Sequence, residues 1–184
     1  MHNTGVIRTI SAGYALLVRV ASSLQSPFLL VVRLYWGWQF MQTGWGKFHN
    51  LARVAQFFTS LGIPFPHANA VLVASIEFFG GALLIIGLGS RIVGLVLSFN
   101  MLVAYITADR EALSSIFSSP GKFYGADPYT FLFAALLVLI FGAGLFSLDH
   151  LLGLFMRSNN EADLAPMTTQ APANATPLEP SRRA

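Results

Sequence analysis

Two ionisable residues occupy stretches of the chain that are otherwise apolar. Arg33 is the single charge in residues 28–46, and Glu77 is the single charge in residues 68–89. Insertion into the centre of a bilayer costs an arginine about 2.5–3.5 kcal/mol, so each charge needs compensation. At about 1.5 Å per residue, the two backbones differ in depth by less than about 10 Å, which allows a direct or water-bridged ion pair. Lys47, about one and a half turns or more above Glu77 in depth, is the competing partner.

Two interpretations of these polar residues stay open. In the first, Arg33 and Glu77 only join neighbouring helices. In the second, they line a small polar cavity for a ligand head group or a proton, because ionisable residues inside a membrane are functional candidates by default. Gln39 lies on an adjacent face of the first stretch, and Asn100 adds an amide that lipid would reject. The candidate intramembrane polar site is therefore Arg33, Glu77, Lys47, Gln39 and Asn100, and no catalytic residue is assigned.

Small residues share a helix face with each of these charges. In the first stretch the face is formed at spacings of three and four by Arg33, Gly37, Phe40, Gly44 and Lys47. In the second stretch it is formed by Ala70, Ala74, Glu77, Gly81 and Leu84. Small side chains let two helix backbones approach closely in a membrane. We therefore expect the first two stretches to meet along these faces.

The residue types that hold intrinsic redox cofactors are missing from the apolar stretches. The chain has no cysteine, which excludes thiolate chemistry and iron–sulfur ligation. The four histidines all lie outside the stretches, at His2, His49, His67 and His150. We therefore expect no metal and no intrinsic cofactor, with electrons carried by another molecule. A flat-ring ligand such as a quinone could stack on Trp36 and Trp38, although packing is the favoured role of these rings.

The composition places the chain in a membrane. Of its 184 residues, 54% are hydrophobic and only 10% are charged, against roughly 25% charged residues in soluble domains. The 11 basic and 8 acidic residues give a net charge of +3 that is scattered along the sequence, so nucleic acid is excluded as a partner. A spanning helix needs about 20 apolar residues, and the stretches that approach this length are residues 28–46, 68–89, 92–108 and 128–148. The predicted fold class is an all-α, integral membrane four-helix bundle.

The connections between the spans differ in kind. Gly89, Ser90 and Arg91 are the only residues between the second and third spans, which predicts a tight antiparallel hairpin. After the first span, apolar residues recur at helical spacing from Phe48 to Leu61 and favour a short interfacial helix over an ordinary loop. Pro27 suits the first turn of the first span.

Three regions are expected. Residues 1–26 form an N-terminal segment, in which residues 6–24 resemble a signal peptide at first sight. Arg19 interrupts the apolar run, so an uncleaved cytoplasmic interfacial helix is favoured. Residues 27–156 form the four-span membrane domain, and residues 157–184 form a disordered tail. The basic residues near short loops slightly favour both termini on the cytoplasmic side.

Several local patterns occur together in an order that resembles the DoxX family. Besides Arg33, they are Gly44-Trp45-Gly46-Lys47, Leu61-Gly62-Ile63-Pro64-Phe65-Pro66, Glu77-Phe78-Phe79-Gly80-Gly81 and Gly87-Leu88-Gly89-Ser90-Arg91. The resemblance covers roughly residues 28–150. It implies a small four-helix protein of the bacterial inner (plasma) membrane, in a family where most members lack an established activity.

The resemblance implies one function, and an alternative from a different class stays open beside it. Some similar proteins are associated with thiosulfate:quinone oxidoreductase or with redox partner complexes, which suggests a subunit or accessory of a quinone-linked oxidoreductase. Nothing in the sequence identifies thiosulfate chemistry. The alternative is a non-enzymatic membrane scaffold or small-solute handling protein, for which transport would require a homo-oligomer because four short spans are few. The expected partners are therefore the lipid bilayer, redox proteins and further copies of the chain.

Overall fold

The computed structural model describes the backbone of residues 3–157, and the side chains at Arg8 and from residue 11 onwards. Over these residues the chain is helical and contains no strand. The helices are α1 (Asn3–His49), α2 (Leu51–Ser60), α3 (Pro66–Ile86), α4 (Ser90–Thr107), α5 (Arg110–Ser114), α6 (Pro120–Gly125) and α7 (Pro128–Phe141). Residues 148–157 are helical again.

Helix α1 is continuous through Pro27, so the prediction that this proline lies in the first turn of a helix is wrong. The helix has 47 residues and is about 70 Å long, more than twice the thickness of a bilayer core. A proline inside a spanning helix is tolerated because neighbouring groups can compensate the lost backbone hydrogen bond. Whether residues 1–26 lie at a membrane surface stays a prediction.

The connection between α1 and α3 contains the predicted helix. Helix α2 (Leu51–Ser60) has a strongly one-sided distribution of apolar residues and contains no fully buried residue. It ends just before Gly62, whose φ of 72° falls in the left-handed region that glycine tolerates best. Pro66 then begins α3 at a first-turn position, where its missing N–H costs no hydrogen bond.

Helices α3 and α4 form the tight hairpin that the sequence predicts. The turn consists of Gly87, Leu88 and Gly89 instead of the predicted Gly89, Ser90 and Arg91, and Ser90 and Arg91 belong to α4. Both turn glycines have left-handed backbone angles, with φ of 74° and 60°, which end α3 earlier than apolar length alone indicates. The backbone N–H of Gly87 bonds the carbonyl of Leu83 and so closes the end of α3.

The fourth apolar stretch is shorter in the structure than in the sequence prediction of residues 128–148. Helix α7 has 14 residues and a length of about 21 Å, and Gly142, with φ of 78° and ψ of −163°, ends it. A core of about 30 Å is longer than this helix, so the complete four-span bundle stays a prediction.

Four of the helices pack around one apolar core. Helix α1 contacts α3 and α7, and α4 contacts α3 and α7. The core residues include Phe40 from α1, Leu84 from α3, Leu97 from α4 and Val138 from α7. Three helices, with bounds Ser11–His49, Pro66–Ile86 and Ser90–Thr107 for their apolar parts, are long and apolar enough to cross a bilayer. The protein is therefore a helical membrane protein.

Two compact units can be distinguished, Met1–His150 and Leu151–Ala184. Of the second unit, the structure describes residues 151–157, which are helical and exposed. The tail that the sequence predicts to be disordered lies outside the described residues apart from Arg157.

Candidate functional site

The two small-residue faces meet, and their backbones touch. A methyl group added to Gly44 would lie 2.5 Å from the backbone nitrogen of Phe78 and 2.8 Å from the carbonyl oxygen of Ala74. A methyl group added to Gly81 would lie 2.5 Å from the carbonyl oxygen of Gly37. No side chain larger than hydrogen fits these positions unless the helices move apart. The predicted contact between the first two spans is thus present in the structure.

Glu77 lies at this contact with two partners from other helices. Its side chain is only 3% exposed. One carboxylate oxygen accepts a hydrogen bond from the ammonium of Lys47 on α1, and the other accepts one from the amide of Asn100 on α4 at 3.3 Å. The lysine side chain is 29% exposed, so it connects the buried carboxylate with the edge of the bundle. We call Lys47, Glu77 and Asn100 the carboxylate cluster.

Aromatic rings of α1 and α3 pack together at positions that neighbour Lys47 and Glu77 in the sequence. The ring of Trp45 lies 4.4 Å from that of His49 and 5.8 Å from that of Phe78, measured between centroids. The ring of Phe48 lies 6.1 Å from that of Phe78. Trp45 is more than half exposed, which suits the membrane interface expected at this end of α1.

Arg33 lies elsewhere and is fully engaged by backbone carbonyls. The side chain is 1% exposed. Its Nε donates to the carbonyl of Leu84 at 2.9 Å and one terminal nitrogen donates to that of Ile85 at 3.1 Å, both in the last turn of α3. The other terminal nitrogen donates to the carbonyls of Ala143 and Phe146, which follow α7. A cation at a helix C-terminus compensates carbonyls that lack helical partners.

The structure therefore separates the two charges that the sequence singled out as a candidate pair. Glu77 is paired with Lys47, the competing partner, and Arg33 lies about 21 Å from Lys47 along α1. The depth estimate from sequence assumed that the two spans begin at opposite surfaces of a core about 30 Å thick. The glycine contacts set Gly37 opposite Gly81, which brings Arg33 to the end of α3 instead of its middle.

Gln39 takes no part in either polar group. It is partly exposed, and its amide lies 3.4 Å from the hydroxyl of Tyr35 one turn earlier on α1. The two deeper tryptophans are also separated. Trp36 packs edge-on against Phe131 of α7 with ring centroids 5.1 Å apart, whereas Trp38 is 55% exposed on the outer face of α1.

Asp149 is a structural residue that the sequence reasoning missed. Its carboxylate accepts hydrogen bonds from the backbone N–H groups of Gly89 at 2.6 Å and Ser90 at 2.9 Å, and so caps the start of α4. Burial by itself raises the pKa of this carboxyl, but the bonds from Ser90 and Gly89 and the charge of Arg33 outweigh it and hold the pKa below its usual value. The sequence feature that could have identified this residue is its position as a lone aspartate directly after an apolar stretch.

A shallow cleft of about 470 Å³ opens beside this cap. Its lining includes Ser90 and Arg91 from α4, and Gly142 and Asp149 from the segment after α7. Within residues 3–157, no three side chains of histidine, aspartate or glutamate are placed so as to hold a metal ion. The absence of an intrinsic cofactor stays a prediction.

Comparison with known proteins supports the patterns recognised in the sequence. Residues 28–110 match the family model described as DoxX. A Bacillus subtilis (strain 168) protein with the name "Putative oxidoreductase CatD" is 36% identical over 83 residues, which are 45% of this chain. The chain spans 60% of the length of that relative. No solved structure matches the chain at a significant level. The similarity to the DoxX family therefore covers the C-terminal part of α1 together with α2, α3 and α4.

Proposed function

We propose that the protein is an inner-membrane subunit or accessory of a quinone-linked oxidoreductase, with the carboxylate cluster as its functional site. The carrying observation is that Glu77 is a buried carboxylate held between three helices by one lysine and one amide. No backbone group depends on these three side chains. This contrasts with Arg33, whose donors are occupied by carbonyls and serve the fold.

The residues of the cluster fit the head group of a quinone. A quinone held there would supply two-electron, two-proton redox chemistry. The ammonium of Lys47 has three donors, of which one is given to Glu77, so donors are left for a carbonyl oxygen. Glu77 supplies a carboxylate, and the amide of Asn100 orients it. Trp45, Phe48 and Phe78 pack together at positions that neighbour Lys47 and Glu77 in the sequence, and they would supply flat apolar surfaces for the ring.

Electrons would come from a redox protein outside the chain. The chain has no cysteine, and its histidines lie at the ends of the apolar helices or outside them, so an internal relay would lack the usual ligands. The name of the Bacillus subtilis relative supports an oxidoreductase context. We further propose the bacterial inner membrane as the location, with both termini on the cytoplasmic side. Reporter fusions at the two ends test this orientation, and an external C-terminus would contradict it.

The test of the function is purification from the native membrane in mild detergent, followed by mass spectrometry of bound quinones and proteins. We expect quinone to accompany the wild-type chain. The amount of bound quinone should be lower in Glu77→Gln and in Lys47→Met. Gln39→Leu is the matched control, because Gln39 lies in an apolar stretch but outside the cluster. Equal quinone content in all four proteins would contradict the proposal.

A membrane scaffold or small-solute handler is the second candidate. It is favoured by the way both polar groups join helices: the carboxylate cluster joins α1, α3 and α4, and Arg33 joins α1 to α3 and the segment after α7. This candidate predicts copurifying proteins with no effect of quinone on the chain. A change in thermal stability on quinone addition that depends on Lys47 would reject it in favour of the first.

A further inference from the structure

One face of α1 is apolar and exposed over a greater length than a bilayer core. Large side chains more than half exposed recur at spacings of three, four and seven residues, namely Tyr14, Leu17, Leu24, Phe28, Val31, Tyr35, Trp38 and Trp45. From Tyr14 to Trp45 this exposed stripe extends about 47 Å, against about 30 Å for the core. Complete immersion would require a tilt beyond the usual range of about 0–40°.

The part of α1 outside the bundle can be located from its contacts. Arg33 lies at the level of the last turn of α3. Towards the N-terminus, Ser26 still contacts the segment after α7, where its hydroxyl accepts a bond from the N–H of Leu145 at 3.3 Å. Residues 11–25 are all exposed. The first third of the exposed stripe therefore extends past the helices that would share the bilayer with it.

The opposite face of this segment is polar. It carries Arg8, Ser11, Ala15, Arg19 and Ser22 at spacings of three and four, and all five are exposed. The same face, continued into the bundle, becomes the one that packs on α3 through Gly37 and Gly44. Before Pro27 the helix is thus amphipathic, with two positive charges and no negative charge on its polar side.

Either a second helix or lipid acyl chains could cover the apolar face of this segment, and the size of its side chains distinguishes between them. Helices that associate in a membrane meet through small residues, as α1 and α3 do at Gly37, Gly44 and Gly81. The exposed stripe before Pro27 instead presents Tyr14, Leu17 and Leu24, which match acyl chains better than a second helix. Each arginine near an anionic surface adds about 1 kcal/mol of attraction.

We propose that residues 8–27 of α1 bind the surface of an anionic lipid leaflet at the Arg33 end of the bundle. Tyr14, Leu17 and Leu24 enter the acyl boundary, and Arg8 and Arg19 contact lipid phosphates. Pro27 lies where the helix leaves the bundle, and this is where the surface segment joins the spanning one.

Single cysteines test this arrangement, since the chain has none of its own. Leu17→Cys and Leu24→Cys report the apolar face, and Ala15→Cys and Ser22→Cys report the polar face. Each full-length protein is placed in nanodiscs of phosphatidylglycerol and phosphatidylcholine, or of phosphatidylcholine alone, and reacted with a water-soluble maleimide. We expect slow labelling of the apolar-face cysteines and fast labelling of the polar-face cysteines, with the contrast largest in phosphatidylglycerol.

Removing both arginines is expected to weaken surface binding about 30-fold, from about 2 kcal/mol of lost attraction. Arg8→Gln together with Arg19→Gln should therefore abolish most of the protection of Leu17→Cys. Arg53→Gln together with Arg110→Gln is the matched control at the other end of the bundle. Equal labelling of all four cysteines would overturn the proposal. Equal protection of the apolar-face cysteines in nanodiscs with and without phosphatidylglycerol would also overturn it. In that case, disulfide crosslinks between Leu17→Cys chains would identify a second copy of the chain as the surface that covers the segment.

Discussion

Arg33 and Lys47 lie on one face of α1 but in different environments. Arg33 is enclosed and donates to four backbone carbonyls, whereas Lys47 is partly exposed and has one carboxylate partner. A guanidinium can serve several carbonyls at fixed angles, which a lysine ammonium cannot do. The two residues therefore predict different consequences of substitution.

Arg33→Leu should unfold the protein or lower its stability by at least about 3 kcal/mol. Buried carbonyls left without donors cost about 1–3 kcal/mol each, and Arg33 serves four. Thermal unfolding in detergent measures the effect. Arg53→Leu on exposed α2 is the control and should change little. Arg33→Lys should recover only part of the loss, and full recovery would contradict the role given to the guanidinium.

Lys47→Met should destabilise the protein more than Lys47→Met combined with Glu77→Gln. The single variant leaves the Glu77 carboxylate buried without its counter-charge, which typically costs about 3–5 kcal/mol, whereas the double variant removes the charge as well. A double-mutant cycle by thermal or denaturant unfolding gives the coupling. Additive effects would show that the two side chains do not interact.

Asp149 should make the stability of the fold depend on pH, with lower stability in acid. Its pKa is lowered in the folded chain, so the carboxylate stabilises the fold fully above its unfolded pKa of about 3.9, and this contribution is lost as the pH falls through the lower folded value. Asp149→Ala should cost about 0.5–2 kcal/mol near neutral pH as a lost helix cap. Unfolding of both proteins between neutral pH and pH 3 checks the sign: the difference between them should shrink in acid.

At the scale of elements, the contact between α1 and α3 depends on positions where only hydrogen fits. Gly44 faces the backbone of α3, whereas Gly46, two residues along the same helix, has open space around its Cα. Close approach of the two helices is what allows Lys47 to reach Glu77.

Gly44→Val should separate α1 from α3 and weaken both the fold and the carboxylate cluster, because its side chain would meet Phe78 and Ala74 backbone atoms that cannot move aside. Gly46→Val on the same helix is the matched control, with the same loss of glycine and the same added volume. The two variants are compared by thermal unfolding. Equal melting temperatures would contradict the close packing of these helices.

At the scale of the whole molecule, the order of the helices determines which loops share a side of the membrane. Helix α3 and helix α4 lie between Ser60 and Ser118, and the turn at Leu88 joins them. If α3 and α4 each cross the membrane once, Ser60→Cys and Ser118→Cys must be labelled from the same side of the membrane and Leu88→Cys from the other side. Labelling with an impermeant reagent in intact and permeabilised cells checks this. Different sides for Ser60 and Ser118 would show that α3 or α4 does not span.

Much of the fold could be read from helical periodicity and apolar length. The positions of α3 and α4, the tight turn between them, the helix over residues 51–60 and the facing stripes of α1 and α3 all follow from local spacing. Two features could not be predicted from local spacing, namely the end of α7 at Gly142 and the continuity of α1 through Pro27. Both depend on contacts and backbone angles that apolar length does not encode.

The sequence by itself determined that the chain enters a membrane and that Arg33, Lys47, Glu77 and Asn100 need polar surroundings there, because burial of charge in lipid is costly wherever the partners lie. The tertiary structure alone decided the partners. The register set by the glycine contacts places Lys47 beside Glu77 and Arg33 at the end of α3. The tertiary structure also decided that Asp149 caps the start of α4, because this cap is 59 residues away in sequence and depends on how the chain folds back.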